Sequence, residues 1–352
     1  MLKQKQNFSY NPESFIQLEI RKVLPDTAIE VINIDFSGYL QKWFHTGNRP
    51  VGFIEITYKD QYEGIKKEKL FIKIHNEAEK AFNSINKLYK EINNEQVINK
   101  IPKPIICDYD NNAMFFQYVE GIPLNQYIAR RLLYKRSAHT TEIACTLKEV
   151  GGWLSCFHEA TKIRRTTTLS SLTAQITDCL RGKNDLNNNE RNILENTLNM
   201  HANVLDQNEL LAHVQTHKDF NLRNVFIIDN KRFHVIDWDA MVHSEFRNAF
   251  SIWVDVTKFT ISIKSLTRFR PVLSRKIVNN FLTSFLKGYF GDRYQKNNKE
   301  FNYLLWTFTL LFFIGLIADR SLPDMYTNIL GNRFISDLKE NLLSGPSAIT
   351  SV

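Results

Sequence analysis

Strand-like alternation is concentrated in the first third of the chain, and this uneven distribution constrains the fold more than any other feature. From Ala28 to Ile74 the segments AIEVINID, GFIEITYKD and KLFIKIH alternate apolar and polar residues, the last two joined by a polar connection from Gln61 to Lys69. An antiparallel sheet is expected there. Glu77 to Ile92 follows, with Phe82, Ile85, Leu88, Tyr89 and Ile92 at the spacing of a helix that packs one face on that sheet. Pro102 and Pro104 in IPKPIICDYD end the helix because proline cannot continue it, and AMFFQYVEG adds a short strand stopped by Gly121. Beyond a connector at Glu120 to Leu124 the periodicity becomes helical over Leu124 to Leu133, Thr141 to His158 and Asn188 to Val204. A single β-hairpin and further helices complete the chain, and the Asn-rich NDLNNNERN around residue 188 reads as a loop. The expected architecture is α+β in two lobes: a small antiparallel sheet lobe over residues 1–120 and a mainly α-helical lobe over 121–352. A chain of 352 residues exceeds the size at which one core stops growing, which agrees with that division.

The formal charge of +8 would suit a polyanion, but the lysines and arginines are scattered, so a nucleic-acid partner is not expected. One denser run lies between Ile261 and Lys276, with Lys264, Arg268, Arg270, Arg275 and Lys276. The most apolar window, Leu304 to Ala318, is roughly 15 residues, short of the 18 or more that a transmembrane helix needs. A buried core helix is expected, with peripheral membrane contact as the alternative. Four widely spaced cysteines suggest neither a zinc site nor a disulfide framework, and the N-terminus lacks a signal-peptide core, so a cytoplasmic protein is expected. The oligomeric state is left open.

The chemistry concentrates in THKDFNLRNVFIIDNKRFHVIDWD, residues 216–239, which holds His217, Asp219, Asn224 and Asp237. VFII and FHVI read as strands, and a two-residue turn at Asn230-Lys231 would pair 229 with 232, 228 with 233, and therefore Asn224 with Asp237. Directly opposed residues stand about 5 Å apart, so an amide oxygen and a carboxylate would converge on one point. Magnesium takes hard oxygen ligands and is commonly held by one or two protein groups plus phosphates and water. Asp219, upstream on a loop, is placed to accept a proton from an attacking hydroxyl, and phosphoryl transfer needs these parts together. His217 is expected to fix the loop rather than to react.

This stretch resembles the catalytic loop and metal-binding segment of the aminoglycoside phosphotransferase and choline kinase family, relatives of the protein kinases, and the likeness extends over most of the chain. The resemblance implies a protein-kinase-like fold, with Asp219 as catalytic base and Asn224 and Asp237 as magnesium ligands. It implies that Asp255 in WVDVTKF braces the catalytic loop, and it leaves Asp239 either assisting the metal or structural. Lys73 in KLFIKIH resembles the strand lysine that contacts the ATP phosphates. Among Glu77, Glu79 and Glu91, Glu79 is taken as its partner. Gln117 to Val119 resembles the hinge whose backbone meets adenine, and DFSGYLQKWF, residues 35–44, resembles the phosphate-covering turn with only Gly38 retained. GGWLSCFHEA resembles a helix that packs under the catalytic loop. Lys218 stands where many relatives have glycine. No A-P-E signature follows Asp237, which points to a small hydroxylated acceptor rather than a protein.

The expectation is an ATP- and Mg2+-dependent phosphotransferase acting on a hydroxyl of an aminoglycoside, amino alcohol or sugar. Two alternatives stand beside it: a kinase of a lipid-linked or lipopolysaccharide sugar at a membrane surface, motivated by the basic run and the apolar window, and a pseudokinase that binds nucleotide without turnover.

Overall fold

The alternating segments of the first third pair into one antiparallel sheet of order β1-β2-β3-β5-β4. Its strands are β1 (Ala28–Asp35), β2 (Val51–Asp60), β3 (Gly64–Ile74), β4 (Pro104–Asp108) and β5 (Ala113–Gln117). Helices α1 (Glu13–Val23) and α2 (Ala78–Glu91) accompany it. The computed structural model describes residues 12–35, 51–133, 137–181, 186–202, 210–229, 232–238, 251–266, 273–294, 299–318 and 328–349. The chain divides into two compact units, one of residues 1–93 and 98–120, the other of 94–97 and 121–352. In the first unit, Ile54, Ile56, Leu70, Ile72, Ile74 and Phe115 close a core against Ile16 of α1, and Phe15 stacks on Phe115 at 5.6 Å.

Two segments here depart from the sequence reading. The polar connection from Gln61 to Lys69 shrinks to a tight turn, and β3 already begins at Gly64. Asp60 accepts from the N–H groups of Tyr62 and Glu63 at 2.9 and 3.0 Å, and Gly64 takes φ +80°, which suits glycine. The charged GIKKE is a strand because Lys67 and Lys69 both reach Glu55 across the β2–β3 ladder. IPKPIICDYD supplies β4 and does not end α2, which stops at Glu91 with Ile92 already extended; β4 is an edge strand, where a proline as first residue breaks no ladder bond that the sheet needs.

The second unit is mainly helical. A short helix, α3 (Glu95–Ile98), precedes β6 (Ile122–Pro123), α4 (Leu124–Leu133) and the long α5 (Ser137–Ala160). Next come β7 (Lys162–Thr168), α6 (Leu169–Arg181), α7 (Asn188–Ala202) and β8 (Leu210–Val214), then the hairpin β9 (Val225–Ile227) and β10 (Phe233–Val235). Among the described residues the α-helices that follow are α8 (Trp253–Lys264), α9 (Arg275–Phe290), α10 (Lys299–Ala318) and α11 (Asn328–Leu343). The hairpin is therefore not isolated. Strand β6 joins it as a third strand, at Gly121, whose φ of +130° and lack of a side chain let the backbone approach Ile227. The β7–β8 pair also escaped the sequence reading, because the threonine run of KIRRTTT shows no apolar alternation. The Asn-rich tract starts a helix: the side chain of Asn187 accepts from the Glu190 N–H at 2.9 Å, and Glu190 returns the bond to the Asn187 N–H at 3.0 Å.

Helices α5 and α9 cross where each carries a glycine. A Cβ on Gly288 would stand 2.0 Å from the Lys148 carbonyl oxygen, and one on Gly151 would stand 2.3 Å from that of Phe285. Backbone atoms cannot yield as a side-chain tip can, so the helices must separate. Gly288→Ala is expected to destabilise the protein by about 2 kcal/mol in urea unfolding, whereas alanine at Gly152, whose nearest such contact is 3.7 Å, is expected to be tolerated.

The apolar window forms most of α10, which is buried along most of its described length from Phe301 to Ile314. Among the described residues no helix is long and apolar enough to cross a membrane. Within the basic run, Lys264 is half-buried at the end of α8, where its ammonium donates to the Ile349 carbonyl, while Arg275 and Lys276 are exposed at the start of α9. Burial pulls the Lys264 pKa down to about 8. Arg268, Arg270, Asp239 and the turn after Asp35 lie outside the described residues.

Candidate active site

Strand β8 delivers the chain into a loop, residues 216–224, whose shape is held from beneath by one buried carboxylate. Asp255, in the first turn of α8, has no exposed surface and accepts from two consecutive backbone N–H groups, His217 at 2.7 Å and Lys218 at 2.8 Å. A third bond comes from the Nε2 of His158 on α5, at 3.1 Å, whose Nδ1 in turn meets the Tyr289 hydroxyl at 2.7 Å. Burial alone would raise the Asp255 pKa, but the hydrogen bonds from His158 and from the His217 N–H hold it below its ordinary value. Tyr289 is pushed up by burial and by the Asp255 charge, so its hydroxyl stays protonated as a donor. Lys218 has φ +63°, a region that favours glycine, and its N–H is aimed at Asp255 in that conformation. This is the physical reason a glycine would suit the position.

His217 acts as the loop's cross-brace, as its place in the motif suggests. Its Nδ1 accepts from the Asp219 N–H at 3.3 Å, which assigns the proton to Nε2, and that nitrogen donates to the Ile236 carbonyl at 2.8 Å. The ring lies 4.5 Å from that of Trp238. Phe220 anchors the next turn, fully buried and stacked on Phe259 at 4.8 Å.

The hairpin register differs by one residue from the reading of the sequence. Phe233 pairs with Ile227, His234 with Phe226 and Val235 with Val225, and the Ile228 N–H donates to the Arg232 carbonyl at 3.0 Å. Three residues, 229–231, make the connection instead of two. Asp229 explains the longer turn, since its carboxylate accepts from the backbone N–H of Arg232 at 2.9 Å and from its guanidinium at 2.6 Å. Asn224 is consequently opposed by Ile236, whose N–H donates to its carbonyl at 2.8 Å. Asp237 is the next residue, exposed, and turns out of the strand with φ +69°.

Asn224 ties the loop together through its amide nitrogen, which donates to the Asp219 carbonyl at 2.9 Å and to the Asp219 carboxylate oxygen Oδ2 at 3.0 Å. The other carboxylate oxygen, Oδ1, faces the ammonium of Lys258 at 3.7 Å. With its nitrogen committed to Asp219, the amide of Asn224 directs Oδ1 away from that carboxylate. An amide oxygen at 224 and an exposed carboxylate one residue beyond its paired neighbour are hard donors of the kind magnesium takes, so the donor set fits that ion when phosphates and water supply the rest.

In the first unit, Lys73 lies in β3 opposite Met114 of β5 and points away from the core face of Leu70, Ile72 and Ile74. Helix α2 covers that side of β5 through Phe82, which packs on Phe116 at 6.4 Å. Glu79, exposed and one turn before Phe82, shares its helix face; Glu77 stands just before the helix, and Glu91 ends it. The Gln117 N–H is used by the Lys103 carbonyl at 2.9 Å, and that of Tyr118 by the Lys69 carbonyl at 3.2 Å. Val119 follows, half-buried, beyond the end of β5.

No protein-family profile and no curated protein matches the sequence. Among solved structures, a glucosamine kinase aligns over 88% of this chain and 91% of its own, at 10% identity and a TM-score of 0.50. The fold is protein-kinase-like. The choline kinase LicA from Streptococcus pneumoniae aligns over 94% of this chain and 99% of its own, at 12% identity and a TM-score of 0.49. An ADP-bound aminoglycoside phosphotransferase covers 97% and 99%, at 13% identity and 0.47.

Within this kinase-like fold, Lys258 is the residue that sequence reading passed over. It follows Asp255 by three positions on α8, and residues three apart share a helix face. Once Asp255 is assigned beneath the loop, that spacing alone directs Lys258 to the same loop.

Proposed function

We propose that this chain transfers the γ-phosphate of ATP to a hydroxyl of a small molecule. The observation that carries this reading is the state of Asp219. Its carboxylate is fixed by Asn224, sits on a loop whose backbone is pinned by Asp255, and keeps Oδ1 directed outward beside Lys258. A loop aspartate with a merely structural task would not need one carboxylate oxygen held by its own loop and the other kept beside a lysine of α8. Positioning of this kind accounts for much of the catalysis of phosphoryl transfer.

In this reading Asp219 takes the proton of the acceptor hydroxyl. The acceptor oxygen bonds to the γ-phosphorus, the bond from that phosphorus to the β,γ-bridging oxygen breaks, and ADP leaves with the bridging oxygen. Asn224 and Asp237 would hold magnesium, which when bound neutralises phosphate charge. Lys73 would meet the α- and β-phosphates with Glu79 as its partner, and the backbone of Gln117 and Val119 would meet adenine. A kinase of glucosamine, a choline kinase and an aminoglycoside kinase among the structural neighbours agree with a small hydroxylated acceptor.

The test is ATP consumption by the purified protein against a library of hydroxyl compounds, titrated with magnesium. Turnover that requires magnesium is expected, with Asn224→Ala lowering it at least 100-fold and raising the magnesium concentration needed for half activity. Magnesium-independent turnover, or an Asn224→Ala variant with an unchanged magnesium requirement, would overturn the metal assignment.

A further inference from the structure

The two oxygens of Asp219 differ in their neighbours, and the difference bears on which acceptor can approach. Oδ2 accepts from the Asn224 amide at 3.0 Å, so Oδ1 is the oxygen left to receive a proton. The ammonium of Lys258 stands 3.7 Å from that Oδ1. This separation is too long for a hydrogen bond but leaves room for an oxygen at about 2.8 Å from both groups. An acceptor hydroxyl donating to Oδ1 therefore comes within hydrogen-bond reach of Lys258, which can donate to the same oxygen.

The lysine is held in this position. Its stem rises from α8 and its ammonium lies 6.0 Å from the ring centre of Phe312 on α10, with 28% of the side chain exposed. It is thus reachable by a ligand yet not a freely swinging surface residue. When the proton passes to Asp219, the carboxylate loses its charge while the ammonium keeps its own. The remaining positive charge favours the negative charge developing on the acceptor oxygen and disfavours any cation fixed close to that oxygen.

The geometry points to Lys258 as a specificity-determining residue that selects acceptor hydroxyls on neutral or anionic molecules over those flanked by an ammonium group. This inference rests on the phosphotransfer reading and adds the acceptor's charge class to it. Once Asp219 has taken the proton, two like unit charges about 5 Å apart at an effective permittivity of about 20 repel strongly enough to slow transfer more than tenfold, and part of that survives the partial exposure of the site.

The experiment compares acceptors that share a skeleton and differ in charge: glucose, glucosamine and glucuronate in one series, and propanediol, ethanolamine and glycolate in another, added to the library described above. In the wild-type protein the neutral or anionic members are expected to have the higher kcat/KM, by at least tenfold over the ammonium member. Lys258→Met should raise the relative kcat/KM of the ammonium members about tenfold, chiefly through kcat, while Lys258→Arg keeps the wild-type order. Lys258→Gln serves as a second neutral variant if the methionine variant does not fold. A wild-type preference for ammonium-bearing acceptors overturns the inference and leaves the phosphotransfer reading intact, and so does an equal change for all charge classes in Lys258→Met. If no hydroxyl compound is phosphorylated by the wild-type protein, the phosphotransfer reading fails and this inference fails with it.

Discussion

Replacing Asp219 with asparagine is expected to lower ATP-dependent phosphorylation of a hydroxyl acceptor about 1,000-fold, while nucleotide binding and thermal stability remain close to wild type. The size follows from what a positioned general base contributes, typically 10² to 10⁴-fold. An asparagine can keep an oxygen facing the Asn224 amide, so the bond at 3.0 Å survives the substitution. What is lost is the proton-accepting oxygen beside Lys258, together with an ion pair that is partly exposed on both sides and contributes little to stability. Single-turnover kinetics with saturating nucleotide isolates the chemical step. An Asp219→Asn variant that retains wild-type turnover would remove Asp219 from the reaction, and with it the central assignment of the site.

The hierarchy of the site explains how much of it could be read in the sequence. That Asp219 and Asn224 share one loop, and that Asp255 braces it, was legible because each lies in a short segment whose local pattern is set by neighbouring residues. The strands of the first unit were legible for the same reason: Leu70, Ile72 and Ile74 face the core at a period of two. The hairpin register was not legible, because it depends on one side chain. The Asp229 carboxylate caps Arg232, lengthens the turn by a residue, and moves Asp237 past the position opposite Asn224. The β7–β8 pair was hidden for a different reason. Its ladder joins residues as far apart as Lys162 and Val214, and neither segment announces its partner. Lys258 follows from two facts taken together: the helical spacing from Asp255, which the sequence contains, and the place of Asp255 beneath the loop, which the resemblance implies and the packing fixes.

Asp255 should be the residue whose loss damages the protein most. Asp255→Ala is expected to destabilise the fold by about 4 kcal/mol and to abolish turnover in whatever fraction remains folded. Its carboxylate is fully buried and accepts three hydrogen bonds, so alanine would leave the N–H groups of His217 and Lys218 and the Nε2 of His158 without their acceptor. Removing one partner from such a buried charged cluster typically costs 3–5 kcal/mol. The loop that carries Asp219 would lose its underside, and Lys218 would lose the bond that its φ of +63° serves to make. Asp255→Asn keeps one acceptor oxygen but turns an N–H₂ toward donors, so an intermediate loss of about 2 kcal/mol is expected. The pH dependence separates the carboxylate from a purely steric role. Because the folded protein holds the Asp255 pKa below its ordinary value near 3.8, its contribution is complete above that pH and is lost as pH falls toward the lower folded value. Urea unfolding of the wild-type protein and of Asp255→Asn between pH 3 and 7 should therefore give a stability gap that is constant above about pH 5 and narrows toward pH 3. A gap independent of pH throughout that range would mean that the charge of Asp255 does not hold the loop.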